Sequence, residues 1–531
     1  MRLRLYLLLT SISVAFAHAA DQPQWGEAWS RNMVSAERNL PDFFDLTTGR
    51  NIEWVAKLGS EGHSTPIVSQ GRVFIGTNNE EPRDPKHQGD RGVLMCFDEK
   101  DGHFLWQCVV PKREEDPFFD WPKTGWSSSP SVEGNRLYVV DNRGEVLCLD
   151  LDGMANGNDG PFLDEGAHMT APPSVPPKPV IGASIQPRLT WPSTDVATKL
   201  EPGPLDADII WIFDMVKDAG IWPHDGAHSS ILIHGDFLYL NTGTGVDNTH
   251  RAIRTPDAPS LIVLEKKTGR LVARDQEHIA PNIVHAAWAA PSLGKVNGRE
   301  LVFFGGGDGI VRAFEPLTEM PPAGKVRALH KVWQFDPDPG APKENIHRYM
   351  GNKLEGPSNI LAMPVFSDNR LYVAGGGDLW WGKNQAWLQC VDPAAGSGDI
   401  TPKAGLWRAA LDRHVMSTPA IHDGLLFIAD CGKKLHCFDA ATGEAYWAQD
   451  LEGEVWASPL VADGKVYLGT RHGDFWIMSA SKEKRVLQTV RFGKPISGTA
   501  TAANGALYVA TMTHLYKLRQ GAQLPPPKTS P

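Results

Sequence analysis

The stretches "STPAIHDGLLFIADCGKKLHCFDAATGEAYWAQD" (417–450) and "ASPLVADGKVYLGTRHGDFWIMSASKEKRVLQTV" (457–490) align without a gap, their prolines Pro419 and Pro459 standing 40 residues apart. The same frame recurs upstream in "TPIVSQGRVFIG" at Pro66, "SPSVEGNRLYVV" at Pro130, "SILIHGDFLYLN" at Ile231, "APSLGKVNGRELVFFG" at Pro291 and "MPVFSDNRLYVA" at Pro364. It recurs downstream in "TATAANGALYVA" at Ala500. In seven of these eight units an aromatic follows the anchor by eight residues: Phe74, Tyr138, Tyr239, Tyr372, Phe427, Tyr467 and Tyr508. A short insertion in the remaining unit moves its aromatic to Phe303.

Each unit reads as strands. An apolar run meets a Gly or Asn turn (Gly71, Gly424, Gly464, Gly505) and is followed by an alternating strand of the "RVFIG" type. A third strand ends in an aspartate, in "LMCFD" at Asp98, "VLCLD" at Asp150, "LQCVD" at Asp392 and "LHCFD" at Asp439. A fourth carries Trp106, Trp211, Trp333, Trp407 or Trp447. Four strands at a period near 40 residues predict the blades of an all-β propeller of four-stranded antiparallel sheets, because a single blade cannot bury both faces. The last unit, 500–518, lacks a fourth strand, while "FFDLTTGRNIEWVAKL" near the N-terminus resembles a fourth strand standing alone, with Asp45, Gly49 and Trp54. Pairing the two would complete the last blade and remove exposed sheet edges. The expectation is eight blades, with seven as the competing count.

The Asp-x-x-Thr-Gly-x-x-x-Trp turn in "DAATGEAYW", echoed in "DEKDGHFLW" and "DLTTG", resembles the tryptophan-docking motif of the pyrroloquinoline-quinone (PQQ) repeat superfamily, and the resemblance extends over nearly all of 20–520. The superfamily includes quinone-dependent alcohol dehydrogenases, which hold PQQ and Ca²⁺ in the central funnel, and the lipoprotein propeller that assists outer-membrane barrel assembly without a cofactor. The sequence departs from the dehydrogenases in having no Cys-Cys pair and no Cys-x-x-Cys-His, and from the assembly factor in lacking a lipidation cysteine and carrying longer insertions.

The N-terminus predicts export. Arg2 and Arg4 precede a mostly apolar run from Leu3 to Phe16, and Ala17-His18-Ala19 offers a cleavage site, so 1–19 reads as a signal peptide and a periplasmic or secreted protein is expected. The run is short for a membrane span; a retained signal anchor is the rival reading. A net charge of −10 argues against nucleic acid as partner. Residues 521–531 read as a Pro-rich disordered tail.

Of the six cysteines, Cys96, Cys148, Cys390 and Cys437 share one slot of the third strand, which elsewhere holds Val263 or Ala313. A slot that accepts Cys, Val or Ala is a small buried position, not half of a disulfide. Cys108 and Cys431 fall outside the pattern. The segment 151–204 interrupts the second blade as a long surface excursion, and its start crowds oxygen ligands: Asp150, Asp152, Asn156, Asn158 and Asp159, followed by Asp164 and Glu165. That crowding suits either a Ca²⁺ site or a solvated acidic turn, although the spacing is not that of an EF-hand loop.

On one propeller face, the positions just before each anchor collect His63, Trp126, His228, His285, Trp288, His414, Met416 and Trp456. The neighbouring loops add His224, Asp225, His347 and Arg348, and "GGGDLWWGKN" adds Trp380 and Trp381. Aromatics beside convergent polar groups suit a planar or sugar-like ligand, or a protein partner, at a funnel mouth. His224 and His228 stand four apart, but on a loop this spacing does not build a zinc pair. Three functions compete. One is a binding or scaffolding propeller. Another is a PQQ- and calcium-dependent oxidoreductase, for which the resemblance points to Trp288 under the quinone, Arg348 at its carboxylates, and Asp308 and Asn241 at the metal, with Asp308 the candidate catalytic carboxylate. A third is a glycan-binding or glycan-cleaving propeller using Trp380 and Trp381, without an assignable carboxylate pair.

Overall fold

The computed structural model describes residues 20–113, 118–170 and 199–525. The export segment 1–19, residues 171–198 of the insertion and 526–531 of the tail lie outside the described residues. Eight mainly antiparallel sheets form an eight-bladed propeller, their first strands starting at Ile67, Ser131, Leu232, Ser292, Val365, Ala420, Leu460 and Thr501. Blade 6 shows the plan: Ala420–His422, Leu425–Asp430, Lys434–Asp439 and Ala445–Asp450, each strand paired with the next. Between its first two strands Asp423 and Gly424 both hold positive φ (49° and 74°), as the tightest hairpin turn requires. Asp463–Gly464 and Asn504–Gly505 repeat the turn.

The strand register explains the repeat. In blade 6, Cys437 lies between Phe427 of the second strand and Trp447 of the fourth. Cys96 likewise separates Phe74 from Trp106, and Cys390 separates Tyr372 from Trp407. A small residue in the middle lets the two rings approach over it, with centroids 5.9 Å apart for Phe74 and Trp106 and 6.1 Å for Tyr372 and Trp407. All six cysteines are free and buried, so the slot is a packing position. In blade 4 the longer hairpin still sets Phe303 opposite Ser292, the residue after its anchor.

The fourth-strand tryptophans join the blades. The Trp106 indole N–H donates to the Leu151 carbonyl of blade 2 (2.9 Å), that of Trp211 to Lys266 of blade 3 (3.2 Å), and that of Trp447 to Ser481 of blade 7 (3.0 Å). The turn glycine of the next blade lies against the ring: a Cβ on Gly269 would come 2.4 Å from Trp211 and one on Gly443 2.6 Å from Trp407. These glycines hold φ of 72° and 76°, so both the left-handed turn and the close approach select glycine.

Arg50–Lys57 pairs antiparallel with His514–Gln523 and completes blade 8. Trp54 stands where the other blades have their fourth-strand Trp: it faces Tyr508 across Lys517, with ring centroids 6.1 Å apart, and its indole donates to the Glu99 carbonyl of blade 1 at 3.0 Å. Gly102 of blade 1 packs on that ring. The pairing runs to Gln523, so the strand takes in residues 521–523 of the segment read from the sequence as tail.

A second N-terminal feature was not legible in the repeat. Residues 22–35 wind once around the axis, bonding the first strand of each blade in turn. Gln22 bridges Val68, and the Pro23 carbonyl accepts from Val132 (2.8 Å). The Trp29 indole donates to Ile233 (3.2 Å), while the Trp29 and Ser30 carbonyls accept from Leu293 and Phe366. The Asn32 amide brackets the Ile421 backbone with two bonds of 2.8 Å, Val34 pairs with Val461, and Ser35 reaches Ala502. These bonds satisfy backbone groups that inner-edge strands would leave open. Arg31, fully buried, donates to the carbonyls of Pro291, Ser230 and Trp25, and burial pulls its guanidinium down to about 9.

Candidate functional site: a floored funnel beside a histidine cluster

Trp25 of this segment, whose indole donates to Thr499 Oγ1 at 3.1 Å, lines a cavity as its floor. Above it the cavity, of about 230 Å³, is walled by Trp121, Trp288, Trp380 and Trp456, with Met363 and Met416 on its apolar side. Its ionisable groups are Glu61, His63, Asp225, His228 and Arg471. Most of the wall comes from residues that just precede a first strand, which the antiparallel blade necessarily brings to one face. Arg471 and Trp380 come from loops that follow a second strand.

His63 stacks on Trp456 (centroids 5.6 Å apart) and bonds Glu61 at 3.0 Å, and the Arg471 guanidinium lies 4.1 Å from the centre of the Trp456 ring. Burial alone would raise the Glu61 carboxyl, but the His63 hydrogen bond and the nearby cations hold it below the ordinary range. Burial pulls His228 down to about 4, so at neutral pH it is an uncharged imidazole, held by the Asp225 carbonyl. The indole nitrogens of Trp288 and Trp456 are buried without a protein partner, as are those of Trp126, Trp333, Trp387 and Trp476, so what these two residues offer the cavity is their ring surface.

Beside the funnel, three histidines converge. His224 and His285 belong to the connections into blades 3 and 4, and His250 to the loop between the second and third strands of blade 3. Their nearest ring nitrogens all lie within 4.8 Å of one another. His224 Nδ1 bonds the Val246 carbonyl (2.9 Å), and His285 Nδ1 bonds Asp378 Oδ2 (3.2 Å). Asp378 is held in turn by the backbone N–H groups of Trp380 and Trp381. Burial and repulsion from its histidine neighbours push His224 well below the usual range, and burial lowers His250 to about 4.

Of the residues singled out in the sequence, Trp288, His228, Trp456, His63 and Met416 line the cavity, and His285 joins the histidine cluster. Trp126 is fully buried in the apolar core between blades 1 and 2. His414 is buried behind the wall, with burial drawing it down to about 4. Arg348 is exposed against Tyr349, and His347 bonds the Ile283 carbonyl at 3.0 Å. Asp308 makes a two-point ion pair with buried Arg312, and Asn241 spends its amide on the Ala289 carbonyl and the Gly243 N–H. Trp380 is on the cavity wall, whereas Trp381 packs against His250 at 5.0 Å.

The oxygen-rich turn is divided among separate partners. Asp150 pairs with Arg136, Asp152 with Arg72, Asn156 with Asp159 and Asn158 with Glu165, while Asp159 N–H donates to Asp208. Sequence reasoning missed Trp25, Trp121 and His250. Trp25 lies outside the repeat frame, and Trp121 and His250 sit in long loops whose folding no periodicity fixes.

The fold and this floored aromatic funnel define an eight-bladed propeller with an axial cavity on one face. A family model described as outer membrane protein assembly factor BamB matches residues 384–513. No curated protein matches the chain. Among solved structures, BamB from Moraxella catarrhalis is 12% identical at a TM-score of 0.48, covering 88% of this chain and 96% of that one. The computationally designed protein Ika8 is 10% identical at a TM-score of 0.47, covering 92% and 99%.

Proposed function

We propose that this protein is an exported binding or scaffolding propeller, periplasmic or secreted, that takes a ring-shaped, polar-edged group into its funnel, either a sugar-like or planar small molecule or such a group displayed by a protein partner. The observation that carries this reading is the funnel itself: a floored cavity with four Trp walls and with Arg471 and Glu61 at its side. Stacking on the indoles would give affinity, and the charged groups would fix orientation. The match of residues 384–513 to an assembly-factor family supports a protein partner. Among the described residues no helix is long and apolar enough to cross a membrane.

The quinone-dependent oxidoreductase reading has less support. Of Trp288, Arg348, Asp308 and Asn241, only Trp288 reaches the cavity, and the other three have protein partners elsewhere. The donor set for PQQ and Ca²⁺ therefore does not assemble.

The test is calorimetric titration with a panel of mono- and disaccharides, planar aromatic acids, PQQ with Ca²⁺, and ring-bearing peptides. The proposal expects saturable binding of at least one sugar, planar acid or peptide, lost in Trp288→Ala and Trp456→Ala. Binding that survives both substitutions, or no binding across the panel, overturns it. Saturable binding of PQQ with Ca²⁺ alone would restore the oxidoreductase reading.

A further inference from the structure

We propose that His224, His250 and His285 form a binding site for one divalent transition-metal ion of the zinc class. The inference goes beyond the funnel reading and does not depend on it.

The geometry meets the requirements of such a site one by one. His224 Nδ1 and His285 Nδ1 are engaged by the Val246 carbonyl and the Asp378 carboxylate, which leaves Nε2 of each ring on the side of the cluster. His224 Nε2 lies 3.1 Å from His250 Nε2, and one ring nitrogen from each of the three histidines lies within 4.8 Å of the other two. A tetrahedral ion with ligand bonds of about 2.0–2.1 Å separates its ligand atoms by about 3.3–3.4 Å, so three nitrogens this close can converge on one ion and leave its fourth position open.

The supporting shell is also present. A carboxylate behind a metal-binding histidine fixes its tautomer and strengthens its lone pair. Asp378 does this for His285, and it is itself oriented by two backbone N–H groups. Three imidazoles favour zinc, copper or nickel over calcium or magnesium, which prefer all-oxygen sets. His224 and His285 are buried, and His250 is partly exposed, so an ion can reach the site from solvent past His250.

A second cluster, Asp141, Glu145 and His168, provides an internal control. The experiment is titration of chelator-treated full-length protein with Zn²⁺ by calorimetry, and with Co²⁺ by visible absorption. The expected result is one equivalent bound, with the absorption bands of tetrahedral cobalt. His250→Ala, at a partly exposed position, should leave the thermal midpoint nearly unchanged and weaken Zn²⁺ binding by more than about 100-fold, and Asp378→Asn should weaken it by about 10–100-fold. His168→Ala should change nothing. No uptake by the wild type, uptake that survives His250→Ala, or uptake abolished by His168→Ala would overturn the assignment.

Discussion

The blade joints and the funnel mouth use the same side chain to opposite ends. At the joints Trp54, Trp106, Trp211, Trp407 and Trp447 each donate the indole N–H to a carbonyl of the next blade. Four of those rings also meet a turn glycine of the next blade. At the mouth Trp288 and Trp456 are half-buried and their N–H groups have no protein partner. Trp333 is the exception among the fourth-strand residues, fully buried with its indole N–H unmet. A tryptophan whose polar atom is satisfied inside the fold is a fastener; one half-exposed in a concave wall offers its ring surface to whatever occupies the cavity.

The contrast can be broken most severely at a joint. Trp106→Ala removes a buried ring and its interblade hydrogen bond and should destabilise the protein by about 3–5 kcal/mol, read from denaturant unfolding followed by circular dichroism. Gly443→Ala leaves every strand in place but adds a Cβ 2.6 Å from Trp407 at φ 76°. A loss of about 2–3 kcal/mol is expected from left-handed strain and overpacking together; a loss below about 0.5 kcal/mol would show that the glycine is not needed for docking.

A buried histidine behind the mouth sharpens the same contrast through pH. Burial, helped by Arg413, lowers His414 to about 4 in the folded protein, against an ordinary value of about 6.5. The unfolded chain therefore binds the extra proton first, and the contribution of this residue is present above about pH 6.5 and lost as pH falls toward 4. His414→Gln should flatten the fall in thermal midpoint across that window; an unchanged slope would remove His414 as its source. The smallest effect belongs to the cysteine slot. Cys437→Ala should cost about 1 kcal/mol, and reductant should leave the wild-type midpoint where it is, because all six thiols are free.

These joints were the most legible part of the molecule. An aromatic eight residues after each anchor, a small residue in the third strand and a Trp in the fourth mark three facing positions of one sheet, so the repeat exposed the fold and even the borrowed strand around Trp54. The funnel was legible only as a face. Reading the positions ahead of each anchor found Trp288, Trp456, His228 and His63, because blade topology fixes where those positions go. It also picked Trp126, which the same topology turns into the core. Residues 22–35 and His250 escaped because their places depend on contacts with distant blades, which no local period encodes.

The most direct test sets one tryptophan of each kind side by side: the unfolding midpoint, and the affinity for the tightest-binding member of the ring-ligand panel, in Trp106→Ala and Trp288→Ala. The account predicts a crossed result, with Trp106→Ala losing stability and keeping affinity, and Trp288→Ala keeping stability and losing affinity. If Trp288→Ala were instead destabilised as strongly as Trp106→Ala while binding unchanged, the funnel would be one more joint and the account would be contradicted.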